Sequence, residues 1–311
     1  MSSYIITNRN KTSEGFGDKC STTSYLIVPD NEYSPQTTHK KTLKNWMNDV
    51  LYEANKLDSA AHIILYVHGY NTTPDESLER QRQIEKQLRR RDVPCIVIGF
   101  DWPANSSALQ YLSDRKDANI SAQVLTNDGI IPFALYNNPN CNLNVHIISH
   151  SMGCFVVRES FRNMDKMRLS NPYWKVNQIV FVAGDISSSC FEKDNADMLP
   201  IFNHCSRLTN YFSGCDLALI LSNVKNLDID SRVGRVGMPT DNPGNSKAID
   251  IDCSERYFNN YSLIDLMESH EWYFNDSNWY SDLKYTIEGK LDRNVIPTRI
   301  KLFENDFKLS C

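Results

Sequence analysis

An α/β fold, a mostly parallel twisted sheet with helices on both faces, is predicted by three features of this 311-residue chain. Short apolar, β-branched runs alternate with helix-compatible segments along most of its length, the pattern of strands joined by crossover helices. Two of those runs, residues 63–67 and 143–149, stop abruptly at tight turns and pass straight into helices. The composition is ordinary for a globular chain, with 41% hydrophobic and 23% charged residues, enough apolar side chain for one sizeable core.

The elements follow in order. Residues 4–7 and 25–28 read as short leading strands within an N-terminal extension over 1–60. Residues 63–67 form a strand ending in His68-Gly69-Tyr70-Asn71. A helix over 75–91 comes next, with Leu78, Ile84 and Leu88 on one face. Thr73 suits its N-cap, Pro74 the first helical position and Glu76 the reciprocal capping-box position. The strand over 94–100 runs into Asp101-Trp102-Pro103, and 107–135 holds a long mixed helical segment. The strand over 143–149 leads into a helix over 152–167. A strand over 176–183 ends at Gly184-Asp185, a helix-like stretch covers 189–204, and a strand over 207–213 ends at Gly214-Cys215-Asp216. Residues 217–221 look helical, and 230–246, rich in Gly, Pro, Asn and Ser, read as a long loop. A last strand is expected at 248–251 and a helix at 280–288. There is no internal repeat, low-complexity tract or linker, so one domain over 1–311 is expected, with 104–142 and 186–206 as candidate cap segments.

Charge and cysteine usage exclude several classes. The formal net charge is -5, which leaves no nucleic-acid footprint. The cluster Arg89-Arg90-Arg91 falls at a helix C-terminus, where cations complement the helix dipole and stay solvated. Residues 1–10 are polar and lack the pattern of a secretory signal. The longest apolar runs fall far short of the ~20 residues that cross a bilayer, so no membrane span is expected. Nine cysteines form neither a disulfide framework nor a CxxC pair, which favours a reducing cytoplasmic setting. No metal site is expected: His146 and His150 are four apart, but on a strand and its turn instead of one helix face.

The chemistry concentrates at Ile148-Ser149-His150-Ser151-Met152-Gly153. Strand, tight turn, serine, helix is the context of a nucleophile elbow, which needs small residues two before and two after the serine. Gly153 meets that need, and Ser149 stands where glycine is the common choice. The His68-Gly69 turn occupies the place where such folds put half of an oxyanion hole, so the two donors would be the Tyr70 and Met152 N–H groups. A serine hydroxyl needs a base, and the base needs a group to fix its tautomer. In chain order serine, acid, histidine, only His204 and His270 follow Ser151, and His204 falls inside a helix. His270 is therefore the candidate base. Asp185 and Asp216 both end late strands; Asp216 is the favoured acid and Asp185 the alternative. His68, Asn71, Asp101, Trp102 and His150 are candidates to line the substrate site. His68 is better suited to anchoring the oxyanion turn than to chemistry, and Trp102 equally suits the core. The competing reading of Ser151, a turn serine in a flavodoxin-like domain, leaves the His-Gly signal unexplained.

These runs, together with residues 111–118, Gly184-Asp185-Ile186, Asp216-Leu217-Ala218-Leu219 with Ser222, Arg232-Val233-Gly234, Ser269-His270 and Asp282-Leu283, resemble the α/β-hydrolase superfamily. More narrowly they are similar to a group of bacterial proteins described as a hydrolase domain of unknown function, number 900. The resemblance implies an α/β-hydrolase fold and a serine hydrolase, esterase- or lipase-like, with triad Ser151, Asp216 and His270. It favours Asp216 over Asp185 and names no substrate; the expected triad chemistry itself takes a small-molecule acyl substrate and no cofactor. It does not extend over the first sixty or last twenty-odd residues, and 238–256 match poorly.

Overall fold

The computed structural model describes residues 2–311 except 59, 105–110, 137–143, 168–173, 221–230, 240–245 and 262–264, and gives backbone alone for 111–115. Its strands are β1 (Ser3–Thr12), β2 (Gly15–Val28), β3 (Lys40–Lys41), β4 (His62–Val67), β5 (Cys95–Asp101), β6 (Asn144–His150), β7 (Val176–Val182), β8 (Cys205–Phe212), β9 (Ala248–Asp252), β10 (Arg299–Lys301) and β11 (Asp306–Leu309). Its α-helices are α1 (Leu43–Leu57), α2 (Pro74–Arg89), α3 (Tyr111–Val124), α4 (Ile131–Tyr136), α5 (Met152–Lys166), α6 (Leu199–His204), α7 (Val233–Val236), α8 (Ser254–Asn260), α9 (Leu266–Glu271) and α10 (Ser277–Glu288), with one further helical turn over 217–220.

Among the described residues all these strands join one sheet, in the order β10-β11-β9-β8-β7-β6-β4-β5-β1-β2-β3. Every pairing from β11 across to β1 is parallel. The margins β10–β11, β1–β2 and β2–β3 are antiparallel. The central strands β4 and β5 are buried at every position, as their unbroken apolar runs require when helices cover both faces. One face packs Trp46, Val50, Phe155 and Phe161 from α1 and α5. The other packs Ile84 and Leu88 of α2 against Trp272, Phe274 and Trp279, so these aromatics are core. Registers Val67↔Ser149, Val67↔Phe100, His150↔Val182 and Val182↔Tyr211 align the carboxyl ends of β4 to β8 along one edge. Ligands and catalytic groups gather at such an edge in open parallel sheets.

Helix α2 starts as its sequence predicts: Glu76 N–H donates to Thr73 Oγ1 at 3.3 Å and Thr73 N–H to Glu76 Oε2 at 2.8 Å. Several expectations need correction. The leading strands are a long hairpin, because alternating polar positions on its margin hide the strand signal. Residues 43–57 are a helix, capped by Thr42, within what reads as an extension. The strand at 248–252 is not the last: β11 pairs parallel to it and β10 follows at the edge. The stretch 189–204 is broken into short turns before α6. The segment 107–135 is α-helical only in part, with a π-helical stretch at Leu125–Ile130. Arg89 and Arg91 are not simply solvated, since they donate to the Cys95 carbonyl and the Ser277 hydroxyl. Residues 230 and 240–245 of the expected loop and Ser222 lie outside the described residues, and Val233–Val236 within that loop are helical.

Trp46 shows what α1 contributes. It is fully buried, its Nε1 donates to the Leu26 carbonyl at 3.0 Å, and it meets Tyr4, Tyr25 and Phe133 edge-on or tilted. Trp46→Ala should lose about 3–5 kcal/mol of stability by denaturant unfolding. A loss under ~1 kcal/mol would show that α1 is not integral to the core.

Candidate active site

Strand β6 ends at His150 and α5 begins at Met152, so Ser151 alone makes the turn. Its φ of 54° and ψ of -125° are strained for any residue with a side chain. Hydrogen bonds hold it there: Ser151 N–H donates to the Val182 carbonyl at 3.0 Å, and its own carbonyl accepts from Cys154 and Asp185 N–H at 3.0 and 3.1 Å. Glycine on either side is a requirement of space. A Cβ at Gly153 would lie 2.5 Å from the His68 and Val67 carbonyl oxygens, and one at Gly69 would lie 2.9 Å from Ser151 Cβ. Ser149 is accommodated because its hydroxyl lies 3.3 Å from Cys154 Sγ and 3.4 Å from the Val180 carbonyl.

Two loops supply the other groups. Asp216 follows β8 and is fully buried; its Oδ1 accepts the Leu219 N–H at 3.0 Å, capping the turn over 217–220. His270 lies on α9, whose N-cap Asp265 accepts from the Met267 and Glu268 N–H groups. Ser269 ties the two loops together, accepting from Leu217 N–H at 3.1 Å and donating to the Leu266 carbonyl at 2.7 Å. His270 Nδ1 is 2.7 Å from Asp216 Oδ2. Burial alone would lower the His270 pKa, but the charge of Asp216 and its hydrogen bond outweigh burial and raise it above the ordinary imidazole value.

His150 links this pair to the turn. Its ring lies 4.6 Å from the His270 ring, and its Nε2–H donates to the His270 carbonyl at 3.2 Å. Burial, then the neighbouring His270, push the His150 pKa well down, so it stays neutral. No direct hydrogen bond joins Ser151 Oγ to the His270 ring among the described residues; catalytic contacts are commonly long until a substrate tightens them. Asp185 is elsewhere engaged, with Oδ1 3.2 Å from Nε of the buried Arg232.

Three residues expected as lining lie beneath the site instead. His68, Asp101 and Trp102 are buried in one network. Trp102 N–H donates to His68 Nε2 at 3.1 Å, Trp102 Nε1–H donates to the His68 carbonyl at 2.9 Å, and the two rings stack. His68 Nδ1 reaches the Gly69 carbonyl at 2.8 Å. Burial would raise the Asp101 pKa, but the charge of Arg9 and the contact with His68 pull it below its usual value. Asn71 and His150 do line a cleft of about 490 Å³, with Arg80, Gln83, Glu271 and Phe274. Arg80 pairs with Glu271 at 2.8 Å and lies over the Phe274 ring, bridging α2 to the helix of His270. Arg9, Arg80 and Arg232 are absent from the sequence reading as site residues. No local signal marks Arg9, which falls in a polar stretch just past the strand expected over 4–7.

A family model described as "Alpha/beta hydrolase of unknown function (DUF900)" matches residues 39–273. The chain belongs to that family. The α/β-hydrolase scaffold accounts for the parallel sheet and for the turn at Ser151; residues 1–38 and 274–311 lie outside the match. An uncharacterized protein of Nostoc sp., alr1448, is 27% identical over 154 residues, 42% of this chain. The chain spans about a third of that relative's length (35%). Among solved structures, a putative hydrolase from Agrobacterium vitis S4 aligns over 92% of this chain and 98% of its own, at 10% identity and TM-score 0.42. The RedJ thioesterase of the Streptomyces coelicolor prodiginine pathway aligns over 68% and 91%, at 13% identity and TM-score 0.33. The phospholipase PlaB of Legionella pneumophila aligns over 67% and 41%, at 15% identity and TM-score 0.29. Among the described residues, no helix is long and apolar enough to cross a membrane.

The opposed influences on His270 can be separated. NMR titration of its imidazole should give a midpoint above the ordinary ~6.5. In Asp216→Asn the midpoint should drop below that value, since burial remains and the countercharge does not. An unchanged midpoint in the variant would mean that another group sets the proton affinity.

Proposed function

We propose that this hydrolase cleaves a carboxylic ester, or a closely related acyl bond, through a Ser151–His270–Asp216 triad and an acyl-enzyme. The observation that carries the reading is the 2.7 Å contact between His270 Nδ1 and Asp216 Oδ2, on the same sheet edge as the strained Ser151 turn. Asp216 holds the imidazole with its proton on Nδ1, which leaves Nε2 to take the Ser151 proton as Oγ attacks the acyl carbon. The N–H groups of Tyr70 and Met152 receive the negative charge that develops on the carbonyl oxygen. Met152 opens α5, where N–H groups lack intrahelical partners. Collapse of the adduct passes the proton from Nε2 to the leaving alcohol and leaves Ser151 acylated. Water then repeats the sequence and frees the acid. These steps call for no cofactor.

Asp185 is the weaker candidate acid, because a buried guanidinium already faces its carboxylate. The mainly polar and charged lining of the cleft beside His150 supports a compact, hydrophilic acyl substrate over a long-chain lipid. One functional domain over 1–311, capped by 104–142 and 186–206 and working in the cytoplasm, completes the proposal.

A fluorophosphonate should label Ser151, and Ser151→Ala should abolish both labelling and hydrolysis of p-nitrophenyl acetate. Asp216→Asn should lower kcat by about 10³- to 10⁴-fold, and Asp185→Asn by far less. Labelling that survives in Ser151→Ala, or the reverse ranking of the two aspartates, would refute the triad. Across p-nitrophenyl esters, kcat/KM should fall from acetate and butyrate to palmitate; a rising series would reject the hydrophilic-substrate reading.

A further inference from the structure

We infer that Arg9, on the leading strand β1, is a positioning residue that clamps the turn carrying the Tyr70 oxyanion donor. The inference rests on the hydrolase reading above. Arg9 is 1% exposed, and its guanidinium makes three directed contacts. Nε donates to Asp101 Oδ1 at 2.8 Å, Nη2 to the Thr72 main-chain carbonyl at 2.6 Å, and Nη1 to Asp18 Oδ1 at 3.0 Å. A guanidinium presents such a fixed fork of donors, whereas a lysine ammonium is a single point on a flexible stem.

Strand β1 runs parallel to β5 with Thr7 opposite Asp101, which carries Arg9 just past the end of β5. Thr7 Oγ1 donates to the other carboxylate oxygen of Asp101 at 2.9 Å. The β1–β2 register shifts on both sides of Arg9, the kind of irregularity that re-aims a side chain beside a site. The turn itself has two fixed ends. His68, locked by Trp102, holds the Gly69 carbonyl. Arg9 holds the Thr72 carbonyl, and the Thr72 hydroxyl reaches back to the Gly69 carbonyl at 3.3 Å. Between them lie Tyr70 and Asn71, the latter at a φ of 55°, in the left-handed region that asparagine adopts more readily than most residues. Asp101 lies between the two ends, its Oδ1 2.8 Å from Arg9 Nε, while the neighbouring His68 Nε2 is taken up as the acceptor of the Trp102 N–H. The direction of the Tyr70 N–H is therefore set by a strand outside the family-matched residues 39–273.

The test compares Arg9→Met and Arg9→Lys with wild type in p-nitrophenyl acetate hydrolysis, and in inhibition by phenylboronic acid, whose serine adduct places an oxygen in the oxyanion hole. Arg9→Lys keeps a positive charge for Asp101 but loses the reach to Thr72, so it remains informative if Arg9→Met does not fold. Both folded variants should lose about 10- to 100-fold in kcat with KM changed less than about threefold, and boronate affinity should fall in parallel. Asp18→Ala, which removes only the exposed outer contact, should retain wild-type kcat. A lowered Tm with wild-type kcat and boronate affinity in either Arg9 variant would overturn the clamp and leave Arg9 a stability residue. Wild-type protein inert to both the ester and a fluorophosphonate would instead remove the hydrolase reading, and the clamp with it.

Discussion

The approach of two turns governs this structure. β4 and β6 are parallel neighbours with Val67 opposite Ser149, so the turns that leave them must lie against each other. The space between them excludes side chains: Gly153 faces the carbonyls of residues 67 and 68, and Gly69 faces Ser151. Apolar central strands set the register, and glycine on each turn lets the register close. Through that contact the Ser151 hydroxyl and the main chain of the 68–72 turn share one small volume. Neither turn has this geometry without the other, which is why the two motifs together say more than either does singly.

Around that contact the sheet edge buries several carboxylates, and each has a different basic partner. Asp101 ends β5 against Arg9, Asp185 follows β7 against Arg232, and Asp216 follows β8 against His270. A buried charge without a partner would cost several kcal/mol, so each pairing is needed for the edge to fold. The partners nevertheless differ in what they can do. A guanidinium keeps its proton at any physiological pH and can only orient or neutralise. An imidazole exchanges its proton near neutrality, so of these pairs only Asp216–His270 can perform acid–base work. The positions of the aspartates are alike, and the chemistry is decided by what faces them.

This division explains how much the sequence discloses. The strand-to-helix junctions at 67–74 and 148–153 are legible because sterics confine them to a few residue types at fixed spacing, and the capping box at Thr73–Glu76 for the same reason. The contact of Asp216 with His270 is local in neither sequence nor element; chain order and resemblance point to it, and 54 residues separate the two side chains. Arg9 and Arg232 are illegible, since an arginine in a strand or loop looks the same whether it faces solvent or a buried carboxylate. Helix α1 is a different case. Trp46, Met47, Val50 and Ala54 all fall on its buried face, so its period is present, but the surrounding polar residues dilute it. The C-terminal strands β10 and β11 are three and four residues long, too short for any period to register.

On the proposed triad, the Asp216–His270 pair also sets stability and activity against one another. The folded-state pKa of His270 is raised above its unfolded value. A group shifted in that direction adds stability that is fully present below the unfolded pKa and disappears as pH rises through the folded one. A general base needs the opposite condition, because Nε2 can accept a proton only when the imidazole is neutral, above the folded pKa. The charged pair is therefore strongest where the site would be idle, and the working site retains only the hydrogen bond from a neutral Nδ1–H to the carboxylate. The geometry of His270 at working pH must then come from contacts that do not depend on its own charge: the Ser269 bridge, the Asp265 cap and the packing of His150 and Phe274 beneath it. Placing the histidine on a short capped helix, instead of an open loop, lets its position survive the loss of its own charge.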